Sequence, residues 1–198
     1  MAEPLQKIMR YVGKHGIVRP RDIEAIGLPR EYLVRLYRQG KLNRPGRGIY
    51  TLPDANVTER HSYAEVAKRV PAGIICLLSA LAFHEITTQS PASVWIALRK
   101  GARTPALGSP SLRIVRLSGP SLTAGIENHQ VEGVPVRVYS AAKTVADCFK
   151  FRNKIGLDIA IEALKDCFRH KRASINEVYR YAKICRVSNV IRPYMEAL

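Results

Sequence analysis

Arginine is the residue whose type and spacing most plainly offer chemistry. Between positions 19 and 47 the chain carries Arg19, Arg21, Arg30, Arg35, Arg38, Arg44 and Arg47. A guanidinium is a planar fork of donors that fits phosphate oxygens or the O6/N7 edge of guanine, so an array of them on one surface points to nucleic acid. Other chemistries are thinner. Asp147-x-x-Lys150, with Glu127 or Asp158, is the best candidate for metal-assisted phosphodiester cleavage, which needs clustered carboxylates and often a lysine. The same predicted helix, however, turns Cys148 and Phe149 towards a core. His84-Glu85 is a poor acid/base pair, because adjacent helix positions do not face each other, and a hydrogen-bonded helix-end histidine is the simpler reading. His61, His129 and His170 are too scattered for a metal site. Phosphate-binding glycine loops, a nucleophile elbow and an HExxH helix are all missing from the sequence. The reading is non-enzymatic, with no catalytic residue, cofactor or metal expected.

The arginines need elements to hold them. Leu5, Ile8, Met9 and Val12 follow helical spacing, and Gly13 to Gly16 ends that helix. Ile17-Val18 reads as a short extended pair. Pro20 suits the first turn of a second helix, where its missing N–H costs nothing, and Ile23 and Ile26 give that helix an apolar face. Gly27-Leu28-Pro29 turns into a third helix, Pro29 to about Gln39, capped by Gly40. Leu33, Leu36 and Tyr37 form its inward stripe, leaving Arg30, Glu31, Val34, Arg35 and Arg38 outward. Two strand-like pieces from Lys41 to Leu52 then flank Arg44-Pro45-Gly46-Arg47-Gly48, a wing with Arg44 and Arg47 at its tip.

Residues 1–54 are therefore expected to be a winged helix-turn-helix with its third helix in a major groove. Arg30 and Arg35 are placed to bind guanine bidentately, at ~1–3 kcal/mol each. Arg19, Arg21, Arg38, Arg44 and Arg47 are assigned mostly to phosphates, with Lys14 and Lys41 as further candidates. The competing reading is a winged helix that docks on protein.

Residues 55–198 read as a second domain. His61 to Val70 has one apolar face, and Ile74 to Ile86 is apolar all round, as in a central buried helix. Val94–Leu98 and Leu112–Leu117 look like strands, Glu127–Val131 and Val134–Tyr139 like a hairpin about Glu132-Gly133, giving three or four strands. Arg99, Lys100, Arg103, Arg113, Arg116 and Arg137 either extend a DNA track or simply solvate a sheet edge. Ser140 caps a helix over Ala141–Phe151, another spans Leu157–Phe168, and Ser174 to Glu177 has capping-box form for a third, with a last short helix from Ser188. Lys143, Lys150, Arg152, Lys154, Arg169, Lys171, Arg172 and Arg180 are read as a cationic surface of this helical end. The expected class is α+β: a winged helix followed by a larger mixed α/β domain with a small sheet and a helical C-terminal end.

Composition narrows the function. The 198 residues are 46% hydrophobic and 24% charged, which excludes a disordered tail, a collagen-like repeat and a coiled coil. Lys plus Arg number 32 against 16 acidic residues, a net +16 that opposes compaction unless a polyanion is usually near. Segments 1–54, 55–139 and 140–198 carry about +6, +4 and +6, so the charge is spread over folded parts. The longest apolar run stops at His84, short of the ~18 residues a spanning helix needs, and Met1-Ala2-Glu3-Pro4 is unlike a secretory signal. Cys76, Cys148, Cys167 and Cys185 lie in apolar patterns without metal spacing and read as reduced core residues, as in a cytoplasmic protein.

Three blocks carry a family resemblance: KLNRPGRGIYTLP from Lys41 to Pro53, ICLLSALAFHEITTQSPASVWIAL from Ile75 to Leu98, and SAAKTVADCFKFRNKIGLDIAIEAL from Ser140 to Leu164. They resemble the AbiEi antitoxins of type IV toxin–antitoxin (AbiE abortive-infection, phage-defence) systems. That resemblance implies an autoregulator whose winged helix represses its own promoter at inverted repeats of double-stranded DNA. It also implies a C-terminal domain required to neutralise a nucleotidyltransferase-like toxin without a stable complex. The runner-up function is a metal-dependent nuclease with a winged-helix targeting domain.

Overall fold

The computed structural model describes residues 3–55, 58–87 and 91–198, so Met1-Ala2 and the Thr88-Gln89-Ser90 part of the second sequence block lie outside the described residues. Backbone contacts divide the chain into two units, Met1–Pro71 with Gln130–Val136, and Ala72–His129 with Arg137–Leu198. The first unit thus runs beyond the 1–54 module expected from sequence and takes in the turn of a later hairpin.

In the first unit, α1 (Glu3–His15) buries Leu5, Ile8 and Val12 along one stripe. Val18 pairs with Tyr50 as an isolated bridge through two backbone hydrogen bonds of 3.0 and 2.9 Å. Helix α2 (Pro20–Glu24) opens on its proline. Helix α3 (Glu31–Arg38) buries Leu33 and Leu36, worth roughly 1.5–3 kcal/mol each, and this burial fixes which face stays outside. Gly40 follows in the left-handed conformation (φ 67°) that ends many helices. Strands β1 (Asn43–Gly46) and β2 (Ile49–Thr51) pair antiparallel about Arg47-Gly48, with an irregular register between Asn43 and Gly46. Three helices and a two-stranded hairpin close on one core, Leu5, Ile8, Val12, Val18, Ile23, Leu33, Leu36, Leu42 and Tyr50, which is the architecture of a winged helix-turn-helix.

Helix α4 (His61–Arg69) completes this unit, with Lys68 Nζ 2.9 Å from Asp22 of α2. The Glu132 carboxylate accepts the Thr58 amide at 2.7 Å, the Thr58 hydroxyl at 2.8 Å and His61 Nδ1 at 2.6 Å.

The second unit is a five-stranded sheet with helices. Its elements are β3 (Ile74–Ile75), α5 (Leu77–Phe83), β4 (Val94–Arg99), β5 (Leu112–Leu117), α6 (Pro120–Thr123), β6 (Ile126–Val131), β7 (Val134–Tyr139), α7 (Ala141–Lys150), α8 (Arg152–Ile155), α9 (Leu157–Arg169), α10 (Ile175–Cys185) and α11 (Ser188–Glu196). Strand order is β5-β4-β3-β7-β6; β3 runs antiparallel to β4 and parallel to β7, and β4 runs parallel to β5. The turn between β6 and β7 is the Gln130–Val136 piece counted with the first unit. The core gathers α5, α7, α9 and α10 through Leu81, Val145, Phe149, Leu164 and Ala182. Architecture and class agree with the α+β expectation.

Two sequence expectations need correction. The run Ile74 to Ile86 is not one helix: Ile74-Ile75 is the central strand, and α5 starts only after Cys76, whose backbone is extended (φ −146°). A strand buried on both faces reads as a continuous apolar run, which periodicity does not separate from a buried helix. Lys143, expected on a cationic surface, is fully buried beside Asp147.

Candidate nucleic-acid interface

The outward face of α3 follows from what it buries. With Leu33 and Leu36 inside, Glu31, Arg35 and Arg38 are exposed together with Val34, which keeps 39% of its surface. Tyr37, expected inward, is 45% exposed. Two residues, Leu33 and Leu36, suffice to anchor an eight-residue helix, and Tyr37 falls at the flank of the buried stripe. Arg30 precedes α3, its Nε 3.5 Å from Glu31 and 3.8 Å from Glu24. Such exposed pairs are worth ~0–1 kcal/mol, so this guanidinium is easily redirected to a phosphate or base. Arg21 is exposed on α2.

Arg19 stands apart. Its amide donates to Asp22 at 2.8 Å, its guanidinium lies 3.7 Å from the same carboxylate, and its side chain is largely buried. Burial lowers its pKa, opposed by Asp22. Burial alone would also raise the Asp22 carboxyl, yet Lys68 and the Arg19 amide hold it below its ordinary value. Arg19 therefore fastens the start of α2 rather than standing free among the exposed arginines.

In the wing, only Arg47 is at the tip, exposed beside Gly48 in the left-handed region (φ 74°). Arg44, also expected there, lies back on β1, exposed, with its guanidinium carbon 5.9 Å from the Tyr50 ring centroid, at the outer reach of a cation–π contact. A cleft of about 380 Å³ next to the wing is lined by Tyr37, Asn43, Arg44 and His61. Sequence reasoning missed Tyr37 and Asn43 as members of this surface; the only available signal was Tyr37 at the margin of the apolar stripe. Lys14 is exposed at the end of α1, and Lys41 is half-buried behind Gly40.

The second unit's candidates do not form one track. Arg113 and Arg116 lie three apart on β5, hence on opposite faces of the strand. Arg113 is exposed over the Trp95 ring at 5.7 Å, whereas Arg116 donates to the Ala102 carbonyl at 2.6 Å and the Thr104 hydroxyl at 2.8 Å. Arg99 and Lys100 are exposed where β4 ends.

The cleavage candidate is not assembled. Asp147 is 1% exposed, and its two oxygens are engaged by Lys143 Nζ at 2.5 Å and the Cys185 thiol at 3.2 Å. Lys150 instead donates to the Cys185 carbonyl at 3.1 Å. Among the described residues no three His, Cys, Asp or Glu side chains gather as a metal site. His84 donates from Nε2 to the Tyr139 carbonyl at 2.7 Å, and its burial lowers its pKa. No described helix is long and apolar enough to cross a membrane.

The whole-chain comparison is with the RV2827C protein from Mycobacterium tuberculosis, whose crystal structure is similar at a TM-score of 0.60 and 14% identity, over 92% of this chain and 72% of that one. At that identity the likeness is one of fold. No curated protein matches the sequence significantly. Residues 6–53 match a family described as "Transcriptional regulator, AbiEi antitoxin". The helix and wing that carry Arg30 to Arg47 thus fall wholly inside a segment similar to the AbiEi antitoxin transcriptional regulators.

Proposed function

We propose that the protein is a sequence-specific DNA-binding repressor of its own promoter, acting at inverted repeats, and the antitoxin of a nucleotidyltransferase-like toxin. The observation that carries this reading is the exposed basic surface of α3 and the wing in a segment that matches transcriptional regulators. An α-helix fits the major groove, so Arg35 and Arg38 are the side chains to enter it, with Arg30 at the helix start. Glu31 on the same face suits the N4 amino group of cytosine. Arg47, at the wing tip, reaches phosphate or the minor groove, and Arg21 and Arg44 add phosphate contacts. Lys14 and Lys41 remain candidates at the margin, as do Arg99, Lys100 and Arg113 in the second unit. Arg19 and Arg116 serve first to hold their own loops.

A gel shift with the DNA upstream of the gene, beside co-expression with the neighbouring toxin, tests both halves. Retarded operator DNA and protected cells are expected. Absence of retardation at low salt would remove the regulatory half, and unprotected cells the antitoxin half.

A further inference from the structure

The second unit has a cleft of about 670 Å³ that the regulatory reading does not use. Four cationic side chains line it, Arg116, Lys150, Lys183 and Arg186, with no carboxylate among the lining residues. We propose that this cleft binds the triphosphate chain of a nucleoside triphosphate.

The C-terminal end of α10 borders the cleft, and free carbonyls there would repel an anion. They are already occupied: Ser121 Oγ donates to the Ile184 carbonyl at 3.1 Å and Lys150 Nζ to the Cys185 carbonyl at 3.1 Å. Arg116 is held by Ala102 and Thr104, so one cation is fixed before any ligand arrives. Lys183, with Nζ 4.7 Å from the Tyr179 ring, and exposed Arg186 supply the more mobile charges.

Arg186 is the most informative residue. It has left-handed φ 59° and ψ 43°, and it caps α10 through its own amide to Lys183 (3.1 Å) and the Val187 amide to Ala182 (2.9 Å). This pairing of bonds is the helix ending in which glycine is usual. Glu85 (φ 56°) and Lys171 (φ 52°) end their helices in the same way, so what distinguishes Arg186 is its place in the lining of the cleft, where glycine would keep the backbone and remove the cation. A fully ionised triphosphate carries four negative charges, matching the four cations. Leu117, Pro120 and Ile184 add apolar lining for the nucleoside. The volume falls in the range of small-molecule sites, and a concave site of this size does not admit a duplex.

Calorimetric titration of the full chain with inorganic tripolyphosphate, ATP, GTP and adenosine tests the assignment. Tripolyphosphate is expected to bind, the nucleotides several-fold more tightly, and adenosine not at all. Arg186→Gly should weaken nucleotide binding about tenfold or more while the thermal midpoint stays level or rises, and Lys183→Ala should also weaken it. Arg44→Ala with Arg47→Ala should leave it unchanged. No binding of tripolyphosphate or nucleotide at millimolar concentration, or full binding by Arg186→Gly, would overturn the site. Equal affinity for tripolyphosphate and ATP would overturn the nucleoside portion. A single-stranded RNA that binds more tightly than ATP and loses more on Arg186→Gly would overturn the small-ligand assignment.

Discussion

Two arginines of the helix-turn-helix illustrate how little residue type alone decides. Arg35 is exposed on α3, while Arg19 is largely buried against Asp22. Arg35→Ala is expected to cost ~1–3 kcal/mol of operator binding and to relax base preference at one position, with unchanged thermal stability. Arg19→Ala should instead lower unfolding free energy by ~1 kcal/mol, measured in urea, with little change in base preference. Lys143 teaches the same lesson. Its i,i+4 spacing to Asp147 permits an ion pair, but the burial of both depends on α5, α9 and α10 packing around α7, which no local pattern encodes. Lys143→Met leaves a buried carboxylate without its cation and should destabilise the fold by ~3–5 kcal/mol, with Asp147→Leu added to it recovering much of the loss. An exposed Lys143 would instead give a change near zero in the same denaturation experiment.

At the scale of elements, the helix-turn-helix was legible because each piece carries its own punctuation: Pro20 opens α2, Gly40 closes α3, and Gly48 turns the wing. The capping serines Ser140 and Ser174 announced α7 and α10 in the same way. Strand β3 carried no such mark, since two isoleucines paired on both sides look like the beginning of the helix that follows. The attachment of α4 was equally hidden, because Lys68 to Asp22 and His61 to Glu132 join residues far apart in sequence. These attachments predict an acid response. Burial alone would raise both carboxyls, but their donors hold Asp22 and Glu132 below ordinary values of 3.8 and 4.5. The unfolded chain therefore takes up these protons at a higher pH than the folded one. Their contribution is complete above the ordinary values and is lost as pH falls through the lower folded values. Urea midpoints measured from pH 7 to pH 3 should drop in acid, and less steeply in Glu132→Gln than in the parent; identical slopes would remove Glu132 from this account.

Across the whole molecule, the sequence's net charge of +16 named a polyanion but not the surface that meets it. Some of these cations also have structural partners: Lys143 is buried on Asp147, and Lys150, Arg152 and Arg116 donate to backbone carbonyls. In the first unit, exposed basic residues lie on α1 (Lys7, Arg10, Lys14) and α2 (Arg21) as well as on α3 and the wing, where Arg30, Arg35, Arg38, Arg44 and Arg47 fall within 18 residues of one another. The central claim is that these side chains meet phosphates, and salt reads it directly. The affinity of the full chain for its upstream DNA, followed by fluorescence anisotropy from about 50 to 200 mM salt, should fall with a log–log slope of about −0.9 per neutralised phosphate. Replacing Arg44 and Arg47 by alanine should weaken operator and random DNA alike and reduce that slope by about two. Binding that is insensitive to salt, or an unchanged slope in the double variant, would contradict the account.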